Sequence, residues 1–265
     1  RPLADFVRER FEQALPPEEM EKLAREARAK VPYDAPYSKG FVETDVEGLW
    51  PVMHRLYSLG HDPVLGFAVG VLDIMNGSIT TIDKAGRVVC QQAMRGADYA
   101  EVDVFAAICK QFIHLKTDVT TSMGLPAPFM GVFDLMQFGS VGKDGQTVAE
   151  IVQGMYYEGY DFIHFCAQSI PVMIVEATVR LCYFLKRTHE GHPARDSIPF
   201  SADHEKHPKL GTMLFMAHSI ATAVNAGKVA FTQDPMQVNY PEWVAFAVYS
   251  FKQAKWALLT KPDTQ

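Results

Sequence analysis

The sequence predicts a mainly α-helical fold: a multi-helix globular domain with one β-hairpin and an N-terminal helical arm. Three observations carry this. Apolar residues recur at helical spacing through most of the chain, as Leu3, Phe6, Val7 and Phe11 do at its start. Only residues 78–92 change to β-prone runs, SITTID and RVVCQ, placed on either side of Asp83-Lys84-Ala85-Gly86. Prolines and glycines fall between the periodic runs and divide the chain into an arm and linker, 1–40, and a helical core, 41–265, holding the hairpin around 78–92.

In chain order, 3–15 and 17–31 read as two amphipathic helices split at Pro16-Pro17, followed by a linker over 32–40 whose X-Pro steps oppose helix. Helical pattern resumes over 46–59. Asp62-Pro63 then heads a helix as N-cap and first helical residue, and Asn76-Gly77 ends it near Met75. Gly86 supplies the left-handed residue of the hairpin loop. A helix is expected over 100–115, a short one over 129–138, and another over 147–157 that stops at Gly159. The longest apolar stretch, 159–187, follows with Asp161 as its N-cap. Polar 188–207 connects it to two last helices, which begin at Pro208 and Pro241.

The 265 residues, 48% hydrophobic, suffice for a sizeable core. A net charge of −6 and a pI near 5.8 exclude a general nucleic-acid binder, which needs a basic face. Cys90, Cys109, Cys166 and Cys182 show no metal-ligand spacing and read as small buried hydrophobes of a reducing compartment. The first thirty residues are charged throughout, without the apolar core of a signal peptide, and a cytoplasmic location is expected. Glu176, Arg180 and Pro171 interrupt the long apolar stretch, so the sequence favours a buried core helix over a membrane span.

That stretch nevertheless carries His164, Gln168, Glu176 and Arg180, which a plain core helix does not need. At about 1.5 Å per residue His164 and Glu176 stand roughly 18 Å apart, so they form two polar stations. Glu176 precedes Arg180 by four residues, the spacing of an ion pair on one face. On the helix after Pro208, His218, Thr222 and Asn225 share a narrow stripe. Antiparallel packing of the two helices brings His218 towards Glu176 and Arg180, and Asn225 towards His164 and Gln168. These seven residues are the candidate ligand-binding set, or else a buried polar network.

His61-Asp62, with His54 before it and His114-x-x-x-Asp118 after it, forms a second constellation. The doublet in an all-helical setting resembles the HD-type metal-dependent phosphohydrolases. The resemblance implies a metal held by scattered His and Asp ligands, here His61, Asp62, His114 and Asp118. This chain departs from the pattern at Pro63, which makes Asp62 look like a helix cap. His189/His192 and His204/His207 sit in polar loops beside prolines and read as solvated side chains.

No Walker loop, GxSxG or HExxH is present, so no cofactor is named. The expected function is that of a soluble helical binding or interaction protein that self-associates and uses its arm and hairpin as contact surfaces, with a small-molecule pocket lined by buried His, Glu, Arg and Asn. The alternative is a metal-dependent or acid-base hydrolase.

Overall fold

A computed structural model describes residues 2–31, 53–83, 85–92, 102–121, 123–140, 145–202 and 207–259. The linker expected at 32–40 and the first part of the helix expected over 46–59 lie outside these residues. The described chain is mainly helical with one two-stranded antiparallel hairpin, and it divides into two compact units, Arg1–His164 and Phe165–Gln265.

The first unit opens with α1 (Pro2–Ala14) and α2 (Pro17–Lys30). Pro17 sits in the first turn of α2 with Glu18 and Glu19, while Arg28 and Lys30 close the last turn, so charge complements the helix dipole at both ends. The apolar stripe of α2 lies on the body, with Met20 and Ala27 buried and Val31 clustered with Ile74 and Ala107, whereas on α1 Val7 is buried and Leu3 and Phe6 are exposed. Arg8 Nη2 donates to Asp161 Oδ2 at 2.6 Å, and Phe11 meets Phe162 edge-on.

A short α3 (His54–Tyr57) and a 3₁₀ turn at Leu59–His61 lead to α4 (Gly66–Asn76). The helix starts later than the expected Pro63, and Leu65 rather than Asp62 is its N-cap. Asp62 instead holds the turn before it, because its Oδ1 accepts from the backbone N–H groups of Val64 and Leu65 at 2.8 Å each. Gly77, at φ 61°, ends α4 in the left-handed conformation that glycine adopts without a Cβ clash.

The hairpin follows, with β1 (Ser78–Ile82) and β2 (Val88–Gln92) in register from Ser78 opposite Gln92 to Ile82 opposite Val88. An isolated hairpin is marginal, and this one is anchored to α4 through Asp73. Its Oδ1 accepts from the hydroxyls of Ser78 and Thr80 at 2.9 and 2.8 Å, and its Oδ2 accepts from Thr80 N–H at 2.9 Å. Asp73→Ala leaves these buried donors without their acceptor and is expected to cost about 3 kcal/mol in urea unfolding.

The unit is completed by α5 (Val104–Asp118), α6 (Val148–Tyr157) and the start of α7 (Phe162–His189). Asp103 caps α5 through the N–H groups of Phe105 and Ala106, which explains a start later than residue 100. Thr147 and Glu150 form a capping box on α6, and the expected short helix after Phe129 is a 3₁₀ turn, Met130–Leu135. Asp161 Oδ1 accepts from His164 N–H at 2.9 Å at the head of α7.

Pro171 does not interrupt α7, which continues through it to His189. Proline removes a single donor from the ladder, and a 28-residue helix keeps the rest of its hydrogen bonds around that gap. By length and composition α7 could cross a membrane. The second unit adds the single turn α8 (Ala194–Ser197), α9 (Pro208–Thr232) and α10 (Tyr240–Leu259). Tyr183, Leu210, Leu214 and Tyr249 form its apolar cluster.

The cysteines differ from expectation. None of the four is in a disulfide and none is buried; Cys90, Cys109 and Cys182 are exposed. For Cys90 the pleat decides: Val88, Cys90 and Gln92 share the outward face of β2.

Candidate metal centre

His114 and Asp118 sit four residues apart on α5, so one helical turn presents both side chains in the same direction. The 3₁₀ turn that precedes Asp62 brings His61 to face them. His61 Nε2 and His114 Nε2 are 3.0 Å apart, and each lies 3.6 Å from Asp118 Oδ2. Among the described residues these three form the one group of His, Cys, Asp or Glu placed to hold a metal ion.

The surrounding residues orient this triangle. Arg55 donates from Nη2 to Asp118 Oδ1 at 3.2 Å and from Nη1 to the Met123 carbonyl at 3.0 Å. That grip leaves Oδ2 turned to the two imidazoles. The rings of His54 and His114 approach the His61 ring at centroid distances of 5.1 and 4.8 Å. Burial, reinforced by neighbouring His114, His54 and Arg55, holds the His61 pKa well below the ordinary imidazole value. His61 is therefore neutral near pH 7, the form that ligates.

Two polar atoms in this buried cluster, His61 Nδ1 and Asp118 Oδ2, make no hydrogen bond within the chain. Buried polar atoms are seldom left so. A tetrahedral ion with bonds of about 2.05 Å separates its ligand atoms by about 3.3 Å, and the sides of 3.0, 3.6 and 3.6 Å bracket that value. Three protein donors leave a fourth coordination position open.

Asp62 does not join them. Its Oδ1 is committed to the turn before α4 and its Oδ2 accepts from Phe129 N–H, with Phe129 held at φ 62°. Burial raises its pKa, while those three backbone bonds oppose the rise. Of the four possible ligands in the sequence, His61, His114 and Asp118 converge and Asp62 serves the fold. A cavity of about 70 Å³ adjoins the cluster, lined among others by His61, His114, Lys110 and Gln111. The His114 side chain is 38% exposed, so solvent reaches the edge of the site. Arg55 and Lys110 were not singled out by sequence reasoning. Lys110 has a usable signal, because Lys110, His114 and Asp118 repeat every four residues; Arg55 has none.

The other candidate residues lie mostly in the second unit. His218 is fully buried, with Nδ1 2.7 Å from Glu242 Oε1 and Nε2 3.8 Å from Glu176 Oε1. Its ring stacks on Tyr249, whose hydroxyl donates to Glu176 Oε1 at 2.6 Å. Arg180 donates to Glu176 Oε2 from Nε and Nη2 at 3.1 and 3.0 Å, and to the Pro199 carbonyl at 2.6 Å. His218 therefore meets Glu176 as the stripe on α9 implies, and Glu242 is the partner that sequence reasoning missed.

Asn225 turns instead to the α9–α10 connection, where it donates to the Gln237 carbonyl and accepts from Asn239 N–H and Trp243 Nε1, all at 2.9 Å. Thr222 is buried beside them. His164 belongs to the first unit, with its ring 4.5 Å from that of Tyr160, and Gln168 is half-buried on α7 in the second. A scan against protein-family models finds no match, and searches of curated proteins and of solved structures find none either.

Proposed function

We propose that this chain binds one divalent transition-metal ion through His61, His114 and Asp118 and is a metal-dependent hydrolase. The triangle of donor atoms at 3.0, 3.6 and 3.6 Å carries the reading. Two imidazoles and one carboxylate suit zinc, iron or manganese better than calcium or magnesium, which prefer all-oxygen shells. A bound ion supplies Lewis acidity for attack by water. The chain's own part is to hold and aim the donors: Arg55 fixes Asp118, burial keeps His61 neutral, and the partly exposed His114 leaves the site open on one side.

Phosphate esters are the substrate class this reading favours. Lys110 stands one turn before His114 on the same face of α5 and lines the adjoining cavity, so cationic charge borders the open side. The His-Asp resemblance adds no support, because Asp62, half of the doublet that carries it, serves the fold. The test is release of inorganic phosphate or nitrophenol from phosphomonoesters and phosphodiesters by the chain loaded with Zn²⁺, Mn²⁺ or Fe²⁺. Metal-dependent turnover that falls at least about a hundredfold in His114→Ala supports the reading. A chain that binds the ion stoichiometrically and hydrolyses none of these esters contradicts the hydrolase assignment and leaves a metal-binding protein.

A further inference from the structure

The second unit holds a buried polar network beside its apolar cluster, and its helices also turn apolar faces outward. At 100° per residue, Glu176, Arg180 and Tyr183 fall on one side of α7, while the exposed Ile174, Leu181 and Leu185 fall on the other. The same division holds on α9, where His218 and Thr222 are buried and Ile220, Val224 and Phe231 are 62%, 69% and 91% exposed. On α10 Glu242 and Tyr249 point in, and Val248 and Phe251 point out. In the most apolar 18-residue window of α7 only 17% is buried.

We propose that Phe165–Gln265 is embedded in a lipid bilayer, with acyl chains covering the outward faces of α7, α9 and α10. Three features favour lipid over a second copy of the chain. The outward stripes lie on three different helices, and a two-fold partner covers one patch of each copy. On α7 and α9 the charged and ionisable groups in mid-helix are paired, Glu176 with Arg180 and His218 with Glu242 of α10, which lowers the cost of placing them in hydrocarbon, whereas Lys252 and Lys255 of α10 are exposed. The dimensions also fit: from Lys209 to Lys228 α9 carries no charge, a rise of about 28 Å against a hydrocarbon core of about 30 Å.

The cations mark one end of this slab. The Tyr183–His207 contact places the end of α7 beside the start of α9, and Thr212 with Gln253 sets the level of α10. Lys186, Arg187, Lys209, Lys252 and Lys255 thus gather at the same end. Lys252 lies over the Tyr249 ring, 5.3 Å from its centroid, and its long stem can carry the ammonium group to the headgroups. Such an end suits the anionic leaflet. Sequence alone favours a soluble core helix here because the charges on α7 count against a span; their inward pairing removes that objection.

Flotation of the full chain with phosphatidylcholine vesicles tests the proposal. The expected result is that it floats with neutral vesicles and stays with them through high salt and alkaline carbonate, and that Ile220→Asp/Val224→Asp lowers the floated fraction at least about tenfold while circular dichroism keeps its helical signal. In the unsubstituted chain, a lipid-borne photoreactive probe is expected to label peptides holding Ile174–Leu185 and Ile220–Phe231. A chain that stays in the aqueous fraction without detergent, whether as a monomer, with these faces covered by its own remainder, or as a discrete dimer, overturns the proposal. So does binding limited to anionic vesicles and released by salt.

Discussion

Loaded with Zn²⁺ and freed of excess ion, the full chain is expected to retain about one ion per chain, and His61→Ala, His114→Ala and Asp118→Asn are each expected to lose it. Removing one donor of three leaves two, and since losing even an outer partner of a ligand costs about 10- to 100-fold in affinity, loss of a ligand itself exceeds that. At an ion concentration about a hundred times Kd, binding adds about 2.7 kcal/mol to stability, a shift of several degrees in Tm that the three variants forfeit. Asp62→Ala is the discriminating control. It sits beside His61 but holds the turn before α4 and the Phe129 N–H, so its loss is expected to lower stability by about 1–3 kcal/mol while keeping the ion-dependent rise in Tm. Loss of the rise in Asp62→Ala and its retention in Asp118→Asn would instead support the doublet of the HD pattern.

Asp134 sets the second large expectation, on pH. It is fully buried, its Oδ1 accepts from Gln153 Nε2 at 2.8 Å, and its Oδ2 has no hydrogen-bond partner. Burial therefore raises its pKa to about 7, against the partial opposition of the Gln153 bond. Between the unfolded value of about 4 and this folded value the native state holds a proton that the unfolded chain has lost, so stability falls as pH rises across that window and then levels off. At about 1.36 kcal/mol per unit the fall is on the order of 4 kcal/mol. Asp134→Asn keeps an acceptor for Gln153 without a charge. Its urea midpoint is expected to exceed that of the unsubstituted chain at pH 8 and to lose this part of the slope between pH 5 and 7. Parallel pH profiles for the two proteins would show that Asp134 is ionised at no cost.

Local chemistry made the elements legible. Asp161 caps α7 and Thr147 caps α6 where a short polar side chain precedes an apolar run, and Gly77 and Gly86 stand at φ 61° and 72° where the chain turns. Pro171 misled because one proline removes one donor and α7 is long enough to continue through it. The candidate site was only half legible. The spacing of His114 and Asp118 places them on one face of α5, but the identity of the group facing them depends on a contact 53 positions away. Between adjacent His61 and Asp62, backbone direction alone decides which reaches the cluster. Arg55 and Asp134 carry no local signal, since a charged residue in an apolar-periodic stretch reads as solvent-facing until the packing around it is known. The inward pairing of Glu176 and Arg180 was visible as an i,i+4 spacing; its meaning for the outward faces of three helices was not.

X-ray absorption at the metal edge of the zinc-loaded full chain tests the central claim most directly. The account predicts a shell of nitrogen and oxygen donors at about 2.0–2.1 Å with outer-shell scattering from two imidazole rings. A shell of oxygens without imidazole scattering, or thiolate sulfur at about 2.3 Å, would contradict it.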